Sequence, residues 1–78
     1  MDIREVFAVN LRRLRHERGL SQEDLAHSAE VNRTYMSKLE KAGSYVGTEI
    51  VERLAAALEV QPWELLKPAP KRLRKRAS

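Results

Sequence analysis

A group of polar residues in the middle of the chain has the types and spacing that contact with a DNA groove requires. They recur on one side of a short helical pattern, and they are Arg33, Thr34, Ser37 and Lys38. Apolar residues occupy the inner side of the same pattern, namely Met36 and Leu39. A guanidinium can form two hydrogen bonds with guanine, and a threonine methyl can contact thymine. The segment therefore predicts a helix that reads the major groove of double-stranded DNA.

Each of these side chains also has a purely structural interpretation. Arg33 could be a solvated arginine, although a cation at a helix start opposes the helix dipole. Thr34 and Ser37 could hydrogen-bond their own backbone, and Lys38 could reach a phosphate or remain in solvent. Tyr35 lies roughly 100–200° of helix rotation from the polar face, so its hydroxyl is predicted to contact a phosphate, or its ring to pack on the preceding helix.

Two helical patterns precede this segment. The first covers about residues 2–18, and its apolar face consists of Ile3, Phe7, Leu11 and Leu14. Gly19 then fits the left-handed conformation that commonly ends a helix. Ser21 is predicted to cap the second helix, which has three polar or acidic residues in its first turn.

The corner before the polar helix consists of Ala29, Glu30 and Val31. Asn32 is predicted to cap the third helix, of about residues 33–41, and Gly43 to end it.

Two further helices are predicted after it. The fourth covers about residues 48–59, and its inner face consists of Val51, Leu54, Ala55 and Leu58. Pro62 is typical of a first helical position and opens a fifth helix. No strand alternation is present, so we expect an all-α domain of five helices over residues 1–66.

Composition excludes several classes of protein. The chain has 78 residues, no cysteine and only two histidines, which leaves no disulfide framework, zinc finger or evident metal site. No cofactor is expected. No apolar run approaches the roughly 20 residues of a membrane span, and the first residues lack a signal-peptide pattern. We expect a cytoplasmic, non-enzymatic protein, because no catalytic set, phosphate loop or small-molecule site is evident.

The positive charge is concentrated at the C-terminus. Residues 67–78 carry six basic side chains and no acidic one, whereas the rest of the chain carries nine basic and eleven acidic ones. We interpret residues 67–78 as a basic flexible tail that neutralises DNA phosphates without reading sequence. The tail could instead be a disordered end, or contact acidic patches on a partner.

The order LRRLRHERGLSQEDLA, VNRTYMSKLEKAG, LAAALEV and WELL resembles the Xre/phage-repressor family of helix-turn-helix regulators over about residues 6–66. Within the family, NRTYMSKLE is similar to the controller proteins of restriction–modification systems, and similar helices occur in stand-alone regulators. The resemblance implies a compact lambda-repressor-like DNA-binding domain that regulates transcription, with double-stranded DNA as its partner.

The resemblance also implies roles for individual residues. Base edges would be contacted by Arg33, Thr34, Ser37 and Lys38, and phosphates by Gln22 and Tyr35; we expect phosphate contacts from Asn32 and Lys41 as well. Arg15 and Glu40 match the positions of a structural ion pair between the first and third helices. Glu30 stands where the family usually has Gly or Asn, so either it adopts a positive φ or the turn differs. Gly43 falls one residue later than the family's glycine.

A single recognition helix reads only a few base pairs, so we expect a homodimer on a palindromic operator. Apolar residues beyond the needs of the core form the predicted interface: Ile50, Ala57, Val60, Trp63 and Leu66. Trp63 could instead cap the core of its own subunit. A different class of function is an interaction module, such as an antitoxin or adaptor, that binds a protein through its C-terminal half.

Overall fold

The structure, a computed structural model, describes residues 2–68 as four α-helices followed by one turn of 3₁₀ helix. The elements are α1 (Ile3–Glu17), α2 (Gln22–Ala29), α3 (Arg33–Glu40), α4 (Thr48–Leu58) and the 3₁₀ turn (Pro62–Leu65). No strand occurs within residues 2–68, and the all-α fold class is confirmed.

The prediction of a fifth α-helix is wrong in type, because the chain forms only the 3₁₀ turn there. Pro68 lacks a backbone donor and disfavours helical geometry in the residue before it, which limits the room for further turns. At the start of the predicted tail, the Lys67 carbonyl accepts a hydrogen bond from Asn10 at 2.6 Å. Most of the predicted tail, residues 69–78, lies outside the described residues.

Side-chain caps fix where the first three helices begin. Asp2 accepts the backbone N–H of Arg4 at 2.7 Å, and the Arg4 guanidinium lowers the pKa of Asp2 to about 2. Ser21 and Asp24 form the reciprocal capping box of α2. The side-chain oxygen of Asn32 accepts two backbone N–H groups of α3, at 2.8 and 3.1 Å. The caps predicted at Ser21 and Asn32 are confirmed.

All four α-helices end in the same way. The N–H group of one residue bonds back to a carbonyl five residues earlier, and the residue before it is left-handed. The left-handed residues are Gly19, Glu30, Ala42 and Glu59. Each of the three non-glycine residues pays a steric cost of roughly 1–2 kcal/mol for this conformation.

This shared motif resolves two predictions about helix ends. Gly19 has φ +70°, so its predicted left-handed conformation is confirmed. Glu30 has φ +57°, so it adopts the positive φ that was one of its two alternatives. Gly43 was predicted to end α3 and is displaced by one residue. Ala42 takes the left-handed position at φ +59°, and Gly43 follows it, donating its N–H to the Lys38 carbonyl at 2.9 Å.

The core lies where the four helices converge. Its fully buried apolar side chains are Leu11, Leu25, Met36, Leu39, Leu54, Leu58 and Leu65. Ile3, the first residue of the apolar face predicted for α1, lies outside this core and is 47% exposed. It lies at the first residue of α1, where it lines a shallow apolar groove with Tyr45 and Leu66. No helix within residues 2–68 combines the length and apolar character needed to cross a bilayer.

Candidate nucleic-acid interface

The exposed face of α3 and the start of α2 together line one open depression. Its lining residues are Gln22, Arg33, Thr34, Ser37, Lys38 and Lys41. All four residues predicted to contact bases are in this set, together with two of the four predicted to contact phosphates. The lining contains three cations and no acidic side chain. We call these six residues the α3 face.

The helix that carries the α3 face is held from behind by a buried ion pair. Arg15 donates to both carboxylate oxygens of Glu40, from Nε at 2.6 Å and from Nη2 at 3.0 Å. Both residues are buried, and Arg15 also donates to the Leu20 carbonyl at 2.8 Å. This pair joins α1 to α3 at the positions that the family resemblance implied. Bidentate geometry of this kind fixes orientation as well as distance.

Gln22 belongs to the same network. Its amide nitrogen donates to Oε1 of Glu40 at 2.9 Å, so one amide hydrogen is already engaged inside the protein. Gln22 also lines the depression. Gln22 therefore both locks α2 against α3 and remains able to contact a ligand at the start of α2.

Tyr35 and Asn32 do not line the depression. The hydroxyl of Tyr35 donates to the backbone carbonyl of Tyr45 at 3.0 Å, which ties α3 to the loop before α4. Because a phosphate offers only acceptors, this hydroxyl must leave Tyr45 before it can donate to DNA. The oxygen of Asn32 is occupied by its cap, which leaves only the amide nitrogen as a donor.

Acidic residues are distributed unevenly around this surface. Glu23, in the first turn of α2, lies 4.0 Å from the guanidinium of Arg33, and both side chains are more than 70% exposed. Two of the four acids that follow α3 are paired, Glu49 with Arg53 and Glu59 with Arg18. The negative charge after α3 is therefore partly neutralised by arginines.

Comparison with known proteins agrees with this geometry. A family model described as a helix-turn-helix domain matches residues 6–66. A hypothetical transcription factor of Neisseria meningitidis serogroup B is 40% identical over 73 residues, covering 94% of this chain and 69% of the relative. The chain belongs to the Xre-type helix-turn-helix family of DNA-binding transcription regulators.

Solved structures of the family superimpose closely on this regulator. The crystal structure of the Neisseria transcription factor has a TM-score of 0.86 at 39% identity, covering 95% of this chain and 85% of that one. The restriction–modification controller protein C.AhdI from Aeromonas hydrophila has a TM-score of 0.77 at 37% identity, covering 80% and 94%. The regulator is thus similar both to a transcription factor and to a restriction–modification controller.

The five residues predicted for a dimer interface differ in their exposure. Ile50, Ala57 and Val60 are half-buried against the regulator's own core. Trp63 and Leu66 are 59% and 41% exposed, so Trp63 does not cap its own core. These two are three residues apart on the 3₁₀ turn and its cap, a spacing that aligns side chains on one side of such a turn.

Asn10 is a residue that sequence reasoning missed. It is fully buried on α1, and its amide nitrogen donates to the carbonyls of Leu65 at 3.0 Å and Lys67 at 2.6 Å. Its oxygen accepts from Arg13 at 3.1 Å. One signal was available, because Asn10 lies three residues after Phe7 and four before Leu14, on a face of α1 that is otherwise apolar. A buried amide needs partners, and here they are two backbone carbonyls at the end of the domain.

Proposed function

We propose that the regulator inserts α3 into the major groove of double-stranded DNA and reads base edges with Arg33, Thr34, Ser37 and Lys38. The observation that carries this proposal is the α3 face itself, an open cationic surface on a helix whose opposite side is buried. Arg33 would pair with guanine through two hydrogen bonds, and Thr34 would offer its methyl to thymine. Ser37 is short enough to let the helix approach the bases.

The contacts to the DNA backbone would surround these base contacts. Lys41 and Gln22 line the same depression, and Gln22 is the first residue of α2, where the positive end of the helix dipole favours a phosphate. The amide nitrogen of Asn32 would supply a further donor. Tyr35 would contact a phosphate only by exchanging its bond to Tyr45, so we rank it last among the four.

We further propose that the regulator binds as a homodimer to a palindromic operator. The described residues expose four large apolar side chains, Ile3, Tyr45, Trp63 and Leu66. Three of them line one groove, in which the Arg4 guanidinium also lies over the ring of Tyr45, 4.6 Å from its centroid. A second copy covering this groove and Trp63 would remove the apolar surface from water. Ile50, Ala57 and Val60 would then contribute less, because their own core already covers them in part.

Selection from random double-stranded DNA at moderate salt tests both proposals. The wild-type protein should enrich an inverted repeat with half-sites about one helical turn, roughly 34–36 Å, apart. The Arg33→Ala/Ser37→Ala variant should lose the enrichment while keeping the helical circular dichroism of the wild type. Sedimentation of the Trp63→Ala variant should show the dimer weakened, with the fold intact.

Two other outcomes of the selection would contradict one or both proposals. Enrichment of a single unrepeated half-site would contradict the dimer and leave the base contacts standing. If neither protein enriches a sequence, groove reading by α3 is wrong, and a protein-interaction module acting through the C-terminal half becomes the better explanation. We propose no catalytic activity, because the family is one of helix-turn-helix transcription regulators.

A further inference from the structure

Trp63 is the largest apolar side chain that residues 2–68 leave in water, and it lies beside the shallow groove that Ile3, Tyr45 and Leu66 line, which we call the α1 groove. Trp63 is 59% exposed and is not one of the residues lining this groove, whereas Leu66 is. Three residues of 3₁₀ helix advance about 6 Å, so Trp63 lies about one turn beyond the edge that Leu66 forms. An apolar side chain and an apolar groove are thus neighbours, and neither covers the other.

The α1 groove has an apolar floor and one charged group. Phe7 and Val51 form its buried floor, and Ile3 and Tyr45 form exposed walls. Among the described residues that line it, Arg4 alone is charged. The groove therefore suits an apolar group that also attracts a cation, and an indole ring has both properties.

Arg4 is held in a way that leaves room for a second aromatic ring. One face of its guanidinium lies over the Tyr45 ring, 4.6 Å from the centroid. Asp2 accepts hydrogen bonds from Nε and Nη2 at 3.2 and 2.8 Å, and such bonds run in the plane of the guanidinium. The Arg4 side chain remains 36% exposed. An indole can therefore stack on Arg4 without displacing Tyr45 or Asp2.

The surface around Trp63 has the opposite charge. Leu66 also lines a second depression, whose lining includes Pro62, the neighbour of Trp63. The described residues that line this depression include no cation and two acids, Glu49 and Glu52. Glu52 is exposed and forms no ion pair within residues 2–68. One side of Leu66 thus has an apolar groove with a cation, and the other has an exposed indole with acids.

We propose that two copies of the regulator pair about a two-fold axis beside Leu66, so that Trp63 of each copy inserts into the α1 groove of the other. The inference rests on the proposed homodimer and specifies its register. A two-fold axis places one end of a surface opposite the other end in the second copy, so each indole meets a groove and each acidic depression meets an Arg4. The indole stacks on the Arg4 guanidinium and covers the apolar floor of the groove.

Intrinsic fluorescence tests the insertion directly, because Trp63 is the only tryptophan of the chain. The emission of the wild type should move to shorter wavelength as rising concentration forms the dimer, since the indole then leaves water. The Ile3→Glu variant places a carboxylate in the groove wall, at a first helical position that tolerates an acid. With a loss of about tenfold for each of two grooves, it should raise the dissociation constant of the dimer about hundredfold and abolish the emission shift.

Two further variants control for the fold and for the added charge. Tyr45→Ala also removes a wall of the groove, and because Tyr45 is 65% exposed, the melting temperature should stay close to that of the wild type. It should weaken the dimer as Ile3→Glu does. Ser28→Glu adds the same charge at an exposed position of α2, outside the α1 groove, and should change the dissociation constant by less than about twofold. Equal weakening by Ser28→Glu would show a general charge effect and overturn the inference.

Mixing two variants tests whether the insertion is reciprocal. Trp63→Ala keeps an intact groove, and Ile3→Glu keeps an intact tryptophan. Their heterodimer therefore retains one of the two insertions, whereas each homodimer retains none. In sedimentation, the mixture should associate about tenfold more tightly than either variant alone. If it associates no more tightly, the two tryptophans do not exchange grooves and the inference is wrong.

The same measurements separate the inference from the homodimer on which it rests. If the wild type is monomeric at every concentration, alone and on the duplex that it selects, the proposed homodimer fails and the inference fails with it. If the wild type dimerises while both groove variants keep its dissociation constant and its emission shift, the insertion is wrong and the homodimer stands.

Discussion

The α3 face and the C-terminal 3₁₀ turn lie in different parts of the molecule, and each is fastened to α1 by one buried polar side chain. Behind the α3 face, Arg15 binds Glu40 through two charged hydrogen bonds between side chains. Beneath the 3₁₀ turn, Asn10 binds two backbone carbonyls through a neutral amide. The first contact fixes the orientation of a helix, and the second fixes only the path of the chain.

The two contacts differ because α3 must present base-reading side chains, whereas the 3₁₀ turn must present only an apolar surface. A helix that reads bases must keep its rotation about its own axis, because a rotation would move the reading side chains away from the groove. A bidentate ion pair specifies that rotation. An apolar contact surface tolerates small shifts, so holding the backbone is sufficient and Trp63 is left exposed. The surface that must be oriented accurately is thus held by a bidentate ion pair, and the surface that tolerates small shifts is held by a neutral amide.

The largest expected effect comes from removing one member of the charged contact. Glu40→Ala leaves the buried guanidinium of Arg15 without its carboxylate, which should cost about 3–5 kcal/mol in the free energy of unfolding. Urea unfolding followed by circular dichroism measures this loss. The Arg15→Met/Glu40→Leu variant removes both charges and should recover most of the stability.

The same two variants also test whether the ion pair between Arg15 and Glu40 orients α3. The double variant should fold but bind operator DNA more weakly, since the bidentate contact is lost and the rotation of α3 then rests on apolar packing and on the hydrogen bond from Tyr35 to Tyr45. If it binds as tightly as the wild type, the ion pair contributes stability alone, and its orienting role is wrong.

A smaller loss is expected from the neutral contact. Asn10→Ala leaves the carbonyls of Leu65 and Lys67 without this donor, at a cost of about 1–3 kcal/mol in the free energy of unfolding. Sedimentation should show weaker self-association as well, because the segment carrying Leu66 is released. Binding of a single half-site should change little. A selective loss of half-site binding would contradict the division of roles between Asn10 and Arg15.

The smallest effect concerns the ends of α3 and α4, which use the same left-handed motif. Ala42→Gly removes a steric cost and should raise the free energy of unfolding by about 0.5–1 kcal/mol. Glu59→Gly should gain less, because it also removes the ion pair with Arg18. Thermal unfolding of both variants measures the gain.

Gly43→Ala is the control for this prediction. Gly43 is not among the residues with positive φ, and an added Cβ would lie 3.5 Å from the Lys38 carbonyl, which is an ordinary contact. The substitution should therefore leave the melting temperature nearly unchanged. A strong destabilisation by Gly43→Ala would mean that Gly43, and not Ala42, is the left-handed residue.

Much of the fold and of the α3 face could be predicted because the relevant interactions are local. Helix periodicity relates residues three and four positions apart, and the caps at Ser21 and Asn32 bond backbone groups within three residues. The residues that share one face of α3 follow from the same periodicity. Local preference failed at the end of α3. Glycine tolerates a left-handed conformation best, which favoured Gly43, but the residue that adopts this conformation is Ala42.

The sequence by itself determined the four α-helices, the caps at Ser21 and Asn32 and the polar face of α3, since short-range spacing controls all of them. The tertiary structure alone decided that Asn10 binds carbonyls 55 and 57 residues away, because such a contact requires α1 and the chain end to meet. It also decided that Trp63 faces solvent while Ile50 packs inward. The approach of Glu23 to Arg33 depends on the angle between α2 and α3, which packing of the buried core sets.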